Sequence, residues 1–281
     1  MSAMREGSVL CVDPHGFHRM HYFEWGEAAN PRVLVCVHGL TRNARDFDEL
    51  ARALSDVYRV VCPDIVGRGK SDWLRDAKDY TYALYGTDIA TLLAKVGAES
   101  VDWVGTSMGG IIGMILASVP GTPIRKLVLN DVGAVIPKAS LQRLAVYVGR
   151  EPPFESLEAL EAAMRSVSPF GKLMPEQWRH LATHISYRGE DGMWRVRYDP
   201  GVAVNLSGAL TGDVDLRAFW NAVRGEALVL RGAQSDLLLP QTLEEMKKRP
   251  GTRVHVVPDC GHAPMLMDAE QISVVRRFLA G

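Results

Sequence analysis

Short runs of apolar, often β-branched residues recur along this chain and constrain its fold more than any other feature. The runs occupy residues 33–37, 58–62, 101–104, 126–129, 227–230 and 253–257. A strand that is apolar along its whole length is buried on both faces, which is typical of a parallel strand covered by helices. Stretches with apolar residues at helical spacing alternate with these runs. The alternation predicts an α/β fold built on a mostly parallel sheet.

The helical stretches are bounded by residues that commonly begin and end helices. The predicted helices occupy residues 81–96, 108–120, 240–248 and 268–279. Residues 9–12 and 18–24 are predicted to form an antiparallel pair of strands ahead of the parallel ones.

The alternation stops between Val132 and Val223, where proline and glycine residues separate short helical stretches and no strong strand is predicted. The expected helices in this region occupy residues 141–148, 156–166, 175–187 and 203–210. We therefore predict a core made of residues 1–133 and 222–281, with a helical subdomain of residues 134–221 inserted in it.

Composition narrows the partners that this chain is expected to have. The chain contains 32 Lys and Arg against 33 Asp and Glu, so no global charge favours nucleic acid or an anionic membrane. No apolar run approaches the roughly 20 residues needed to span a bilayer, and no signal peptide is recognised. The four cysteines lack CxxC spacing and are interpreted as reduced, buried thiols. A cytoplasmic location is expected.

Residues 105–109, Gly-Thr-Ser-Met-Gly, form a G-x-S-x-G motif between a predicted strand and a predicted helix. This context is typical of a nucleophile elbow, in which a sharp turn presents the serine and small glycines let neighbouring backbone pass. The N-terminus of the following helix adds free N–H groups beneath the reacting centre. We therefore predict that Ser107 is a nucleophile; an ordinary serine helix cap is the alternative.

A serine hydroxyl needs a base to accept its proton. His262 lies in the loop between the last predicted strand and the last helix. Loops that follow parallel strands gather at one edge of the sheet, so His262 is expected to lie beside Ser107. His180 and His184 are four residues apart on a helix but lack the Glu of the H-E-x-x-H zinc motif. His262 is therefore the predicted base.

The base in turn needs an acid that orients it. Asp236 follows the strand at 227–230 and places the three residues in the chain order Ser, Asp, His. Asp131 follows the strand at 126–129 and is the alternative. We favour Asp236 because the shape of its loop and its place before the final histidine match the expected template better.

Two backbone donors are expected to stabilise the negatively charged oxygen of a tetrahedral intermediate. The predicted donors are the N–H groups of Leu40 and Met108, which follow the first parallel strand and the nucleophile. His38 is expected to brace this turn. His38, Trp178 and Met174 are also candidate substrate-binding residues, although packing of the subdomain onto the core explains such aromatic and sulfur side chains equally well.

Arg42 lies close to the turn that carries Leu40. It is interpreted as a solvated surface residue, with contact to an acidic group of the substrate as the alternative.

Together these motifs make the chain resemble the α/β-hydrolase superfamily over nearly its whole length, in particular serine carboxylesterases with a helical cap. The motifs are His38-Gly-Leu, the D-x-x-G-x-G-x-S loop of residues 64–71, the pentapeptide around Ser107, the Asp236 loop and Gly261-His262. The resemblance implies an eight-stranded sheet, a helical cap after the sixth strand, and activity without metal or organic cofactor. The 64–71 loop would then be structural and would not bind phosphate.

The expected activity is hydrolysis of carboxylic esters of small to medium acyl substrates through an acyl-enzyme. Serine at position 107 argues against haloalkane dehalogenases and epoxide hydrolases, which carry Asp there. Carbon–carbon bond hydrolases and enol-lactonases could use the same three residues and remain alternatives. A non-catalytic protein that binds a small ligand on a hydrolase fold is the alternative from another class. The expected partner is a small acyl substrate, with no nucleic acid and no membrane.

Overall fold

Eight strands form the central sheet of the computed structural model, which describes residues 4–208 and 211–281. The described strands are β1 (Arg5–Asp13), β2 (Gly16–Trp25), β3 (Val33–Val37), β4 (Arg59–Pro63), β5 (Val101–Thr106), β6 (Ile124–Asn130), β7 (Val135–Ile136), β8 (Ser186–Arg188), β9 (Trp194–Val196), β10 (Val214–Asp215), β11 (Glu226–Gly232) and β12 (Thr252–Val257).

The order of strands in the sheet is β1-β2-β4-β3-β5-β6-β11-β12. Strand β2 pairs antiparallel with both β1 and β4, and all other pairs in this sheet are parallel. The predicted α/β fold with a mostly parallel eight-stranded sheet is confirmed. Every residue of β3 is buried, because helices cover both faces of the centre of the sheet.

Helices lie on both sides of the sheet. The described helices are α1 (Asp48–Leu54), α2 (Tyr82–Val96), α3 (Met108–Ser118), α4 (Lys138–Ala145), α5 (Leu157–Val167), α6 (Pro175–Ile185), α7 (Val204–Gly208), α8 (Arg217–Ala222), α9 (Pro240–Lys247) and α10 (Ala269–Ala280). Apolar residues of α1 and α10 form one buried cluster with the sheet, and those of α2, α3 and α9 form another. Among the described residues, no helix combines the length and apolarity needed to cross a membrane.

Residues 131–225, which we call the intervening segment, join β6 to β11, although these two strands are neighbours in the sheet. Helices α4–α8 lie in this segment; α4–α7 lie close to the four predicted positions, and α8 was not predicted. The last of the four predicted helices, residues 203–210, corresponds to α7, and its residues Ala209 and Leu210 lie outside the described residues.

The intervening segment also contains strands that the sequence did not indicate. Strands β8 and β9 form a short antiparallel hairpin, and β7 pairs with β10. Helix α1, in the core, was likewise not predicted. These elements have two to seven residues, too few for a periodic pattern to show.

Gly113 in α3 marks the closest contact between that helix and the sheet. A Cβ atom at this position would lie 2.2 Å from Nε1 of Trp103, which is fully buried on β5. Trp103 cannot move aside, because its indole N–H also donates to the carbonyl of Gly109 at 3.1 Å. Gly86 in α2 offers a contrast, since a Cβ there would lie 3.5 Å from a Leu116 methyl group, an ordinary contact.

These two helical glycines provide a matched test of the packing. Gly113→Ala should lower the free energy of unfolding by about 1–3 kcal/mol through overpacking. Gly86→Ala should instead raise it by up to about 1 kcal/mol, because alanine favours helix. Urea unfolding followed by circular dichroism measures both changes; equal effects of the two substitutions would contradict the packing described for α3.

Candidate active site

Ser107 occupies a single-residue turn between β5 and α3. Its backbone has φ 51° and ψ −114°, in a region that residues other than glycine rarely adopt. The glycines on either side permit this turn. A Cβ on Gly109 would lie 2.0 Å from the Val37 carbonyl oxygen, and one on Gly105 would lie 2.3 Å from the Gly109 carbonyl oxygen. Ser107 therefore stands at the carboxyl edge of the sheet, in the geometry predicted for a nucleophile elbow.

His262 contacts Ser107 from the loop between β12 and α10. Its Nε2 atom lies 3.0 Å from Ser107 Oγ, and its Nδ1 atom lies 2.8 Å from Asp131 Oδ2. When Nδ1–H donates to Asp131, the lone pair of Nε2 is left to accept the serine hydroxyl proton. The prediction that His262 meets Ser107 thus agrees with the geometry, and the three side chains form a continuous hydrogen-bonded chain.

Asp131 follows β6 directly, and β6 is the neighbour of the strand that carries Ser107. Its side chain is fully buried, and its oxygens also accept hydrogen bonds from the Gly232 N–H at 2.8 Å and the Ser235 hydroxyl at 2.6 Å. Three donors satisfy the buried carboxylate and fix its orientation.

The structure does not bring Asp236 to His262, which corrects the choice made from the sequence. The Asp236 carboxylate is 46% exposed and binds both Nε and Nη2 of Arg143, at 2.6 and 2.9 Å. Asp236 lies four residues beyond the end of β11, where the loop turns outward, and Ser235 instead points inward. The feature that could have identified Asp131 is its position directly after β6, because β6 lies next to β5, the strand that directly precedes Ser107.

Leu40 and Met108 lie on the two turns that meet at Ser107. A Cβ built on Gly39 would lie 3.7 Å from Ser107 Cβ, so the turn after β3 reaches the nucleophile. Among the described residues, neither the Leu40 nor the Met108 backbone N–H donates to a protein acceptor. Both donors are therefore available to an oxygen bound beside Ser107, as an oxyanion site requires.

His38 is buried beneath this turn and does not face the cavity. Its Nδ1–H donates to the Gly39 carbonyl at 2.7 Å, and its Nε2 accepts from the Ile65 N–H at 3.0 Å. Burial lowers the pKa of His38 to about 3, although the hydrogen bond to Gly39 acts in the opposite direction. A neutral His38 therefore braces the turn, and its assignment as a substrate-binding residue does not agree with the structure.

The other two candidate substrate-binding residues also lie away from the cavity wall. Trp178 is buried and stacks on Phe170 with ring centroids 5.7 Å apart. Met174 precedes α6 and is 61% exposed. Sequence alone could not separate them from cavity-lining residues, because the choice depends on which face of each short helix turns towards Ser107.

A cavity of about 420 Å³ opens beside Ser107 and His262. Its apolar wall comes largely from the intervening segment and includes Leu144, Val148, Phe154, Met164 and Ile185. This volume lies within the usual range for sites that enclose small ligands.

The cavity wall carries few charged side chains. Arg42 lines it but is paired with Asp46, whose oxygens lie 2.8 and 2.6 Å from Nε and Nη2 of the arginine. Arg150 also lines the cavity and is exposed. Within the described part of the chain, its guanidinium has no hydrogen-bond or ion-pair partner. No motif in the sequence indicated Arg150.

A separate group of metal-binding side-chain types, Asp48, His180 and His184, joins α1 to α6. Arg45 lies inside it: its guanidinium binds both oxygens of Asp48, and its Nη1 lies 3.3 Å from His184 Nδ1. The arginine supplies the positive charge that Asp48 needs. This group is therefore explained as an ion-pair contact that attaches α6 to the core.

Comparison with known proteins gives one family and several close relatives. The model of the Alpha/beta hydrolase family matches residues 34–273. A 3-hydroxybutyrate-oligomer hydrolase of Cupriavidus necator is 48% identical over 99% of this chain and 98% of its own length. A 2-hydroxymuconate semialdehyde hydrolase of Pseudomonas putida is 27% identical, with 80% of this chain and 78% of that protein covered. The crystal structure of an alpha/beta hydrolase from Novosphingobium aromaticivorans superimposes with a TM-score of 0.89 at 35% identity, covering 100% of this chain and 99% of that one.

The buried, neutral His38 generates a prediction about acid stability. Its pKa is 6.5 in an unfolded chain and about 3 in the protein. Between these values the unfolded chain binds a proton that the folded protein cannot, so the free energy of unfolding falls as the pH falls through this window. For one proton the slope is about 1.4 kcal/mol per pH unit.

His38→Gln removes this proton while keeping an acceptor for the Ile65 N–H. The variant should be less stable than the wild type at pH 7, and the difference in unfolding free energy should shrink by about 1.4 kcal/mol per pH unit as the pH falls from 6 to 4. Urea unfolding at four pH values measures it. A difference that stays constant with pH would show that His38 is not the group that takes up the proton.

Proposed function

Because this chain belongs to the alpha/beta hydrolase family and is a hydrolase, we propose that it cleaves carboxylic esters through an acyl-enzyme formed on Ser107. The observation that supports this most directly is the hydrogen-bonded chain from Ser107 through His262 to Asp131. Such a chain activates a hydroxyl that would otherwise be a weak nucleophile.

In the proposed reaction, Ser107 Oγ attacks the ester carbonyl carbon while its proton passes to His262 Nε2. Asp131 holds the Nδ1–H and stabilises the imidazolium that forms. The N–H groups of Leu40 and Met108 bind the oxygen as it becomes negative, each contributing roughly 3 kcal/mol. His262 then protonates the leaving alcohol. Water then attacks the acyl-enzyme carbonyl while its proton passes to His262. His262 returns the proton to Ser107 Oγ as the acid is released.

We propose that residues 134–221 act as a cap over this site. Most of the apolar cavity wall comes from that segment, including Leu144, Val148 and Met164. An apolar enclosure excludes bulk water from the acyl group and strengthens the electrostatic interactions at the reacting centre.

We further propose that the substrates are short oligoesters of a hydroxy acid that end in a carboxylate. The relative from Cupriavidus necator, at 48% identity over nearly the whole length, is named as a hydrolase of 3-hydroxybutyrate oligomers. The guanidinium of Arg150 lies on the cavity wall and has no partner among the described residues. It suits a terminal carboxylate, because planar bidentate pairing is the preferred geometry of that contact. Arg42 is less suited, because Asp46 already occupies its guanidinium.

Cleavage of a carbon–carbon bond is the second candidate, and the relative from Pseudomonas putida favours it. The same three side chains could serve that reaction. Parallel assays with a hydroxybutyrate dimer, a dienoic diketone and an enol-lactone decide between the chemistries, and the highest kcat/KM identifies the reaction.

The roles of the nucleophile and of the acid can be tested with one serine variant and a matched pair of aspartate variants. Ser107→Ala should lower kcat for a short aryl ester by at least about 10³-fold, and Asp131→Asn by about 10³–10⁴-fold. Asp236→Asn should stay within about threefold of the wild type, because that carboxylate pairs with Arg143 on the surface. Initial rates under saturating ester measure all three variants.

The outcomes separate the assignments. A large loss in Asp236→Asn with Asp131→Asn intact would restore the choice made from the sequence. Full activity in Ser107→Ala would rule out an acyl-enzyme on Ser107. A wild-type protein with no ester turnover and no labelling of Ser107 by a fluorophosphonate would instead favour a non-catalytic binding protein.

Carboxylate recognition by Arg150 has its own test. Arg150→Gln should raise KM for a hydroxybutyrate dimer with a free carboxylate by about tenfold, consistent with loss of a charged hydrogen bond of 1.5–3 kcal/mol. KM for the methyl ester of the same dimer should change by less than about twofold, because it carries no charge to pair. Arg188→Gln, at an exposed arginine outside the cavity wall, is the matched control. Equal changes for both dimers would contradict the assignment.

A further inference from the structure

Arg68 is a cation that is fully buried in the interior of the protein. It lies in the 64–71 loop, and its relative exposure is 0%. Among the described residues, no carboxylate forms an ion pair with it; its hydrogen bonds go to two carbonyls, a hydroxyl and a thioether sulfur. Burying a charge without a carboxylate partner lowers the stability of a folded protein. A function of Arg68 that depends on its buried charge would offset this cost.

The contacts of Arg68 connect it to both turns that meet at Ser107. Its Nε donates to the Leu40 carbonyl at 2.9 Å, and its Nη2 lies 3.5 Å from the Met108 sulfur. Its Nη1 donates to the Val66 carbonyl and the Tyr85 hydroxyl, at 2.8 and 2.9 Å. Arg68 therefore contacts Leu40 and Met108, the two residues whose backbone N–H groups are available beside Ser107.

We infer that Arg68 is a positioning residue that holds the Leu40 turn in place and supplies a fixed positive charge behind the oxyanion. This inference rests on the proposed function, because it needs a negative oxygen to form beside Ser107. The substrate carbonyl is neutral and the tetrahedral intermediate carries a full negative charge. A charge buried in advance therefore favours the intermediate over the bound ester.

The backbone of the 64–71 loop has a fixed conformation on both sides of Arg68. Gly67 and Gly69 both have positive φ, and a Cβ on Gly69 would lie 2.3 Å from the Asp64 carboxylate. That carboxylate accepts the backbone N–H groups of Ala44 and Lys70, each at 2.8 Å. Arg68 therefore leaves the loop from a backbone fixed on both sides, which suits a side chain that must hold another turn.

Neighbouring groups are affected by the positive charge. Burial is the largest cause of the lowered pKa of His38, and the charge of Arg68 lowers it further. His38 directly precedes the Gly39-Leu40 turn, so the field of Arg68 acts on the segment that carries one oxyanion donor. Arg68 also lies 5.2 Å from the centre of the Tyr85 ring, whose face offers the cation partial compensation.

The experiment separates charge from packing with two substitutions. Arg68→Gln keeps a donor for the Leu40 carbonyl but removes the charge, and Arg68→Lys keeps the charge but removes the planar fork. Two inhibitors probe them: a short alkyl trifluoromethyl ketone, which forms an anionic tetrahedral adduct with a serine, and its methyl ketone, which does not. The ratio of their inhibition constants reports stabilisation of the oxyanion, and a general loosening of the cavity would weaken both together.

In Arg68→Gln we expect this selectivity for the trifluoromethyl ketone and the kcat for ester to fall by about tenfold to a hundredfold, less than the loss of a direct oxyanion donor. KM should change by less than about twofold. Arg68→Lys should keep most of the selectivity. Thermal unfolding checks that each variant is folded.

A folded Arg68→Gln with unchanged selectivity would overturn the inference, as would equal losses in Arg68→Gln and Arg68→Lys. If Arg68→Gln does not fold, Arg68→Lys decides alone, and loss of selectivity in that folded variant overturns the role of the charge. A wild-type enzyme that binds the two ketones equally would instead refute the acyl-enzyme mechanism itself.

Discussion

The site depends on the contact between the β5–α3 turn and the end of β3. The Gly109 N–H donates to the His38 carbonyl at 3.1 Å, and a Cβ on Gly109 would lie 2.0 Å from the Val37 carbonyl oxygen. Only glycine permits this approach. The contact brings the turn that presents Ser107 against the turn that carries Leu40, and the nucleophile and both available backbone donors therefore share one small region.

The parallel sheet supplies the remaining side chains at the same edge. Ser107 follows β5 and Asp131 follows the adjacent β6, whereas His262 reaches them from the loop after β12, the edge strand. Side chains that are far apart in the sequence meet because the carboxyl ends of parallel strands lie on one side. The intervening segment is attached to this edge by backbone hydrogen bonds, from Gly261 to Pro169 and from Asp199 to Gly67.

Charges around the site differ in how they are balanced. Asp131 is buried and receives three hydrogen bonds, while Arg42 and Asp46 neutralise each other on the cavity wall. Arg68 and Arg150 have no carboxylate partner among the described residues. The first is buried behind the turns at Ser107 and the second faces the cavity. In the proposed function, the first would face the oxyanion that forms during the reaction and the second the carboxylate that the substrate carries.

The sequence by itself determined the fold class, the elbow around Ser107 and the place of His262, because these depend on local patterns: apolar runs, glycine spacing and position after a strand. It favoured Asp236 and left Asp131 as the alternative, since both follow strands that end at the same edge. Only the tertiary structure decided this, because strand order places Asp131 beside Ser107 and the outward turn of the next loop gives Asp236 to Arg143. The same holds for the cavity wall and for Arg68, whose burial and contacts arise from segments distant in the chain.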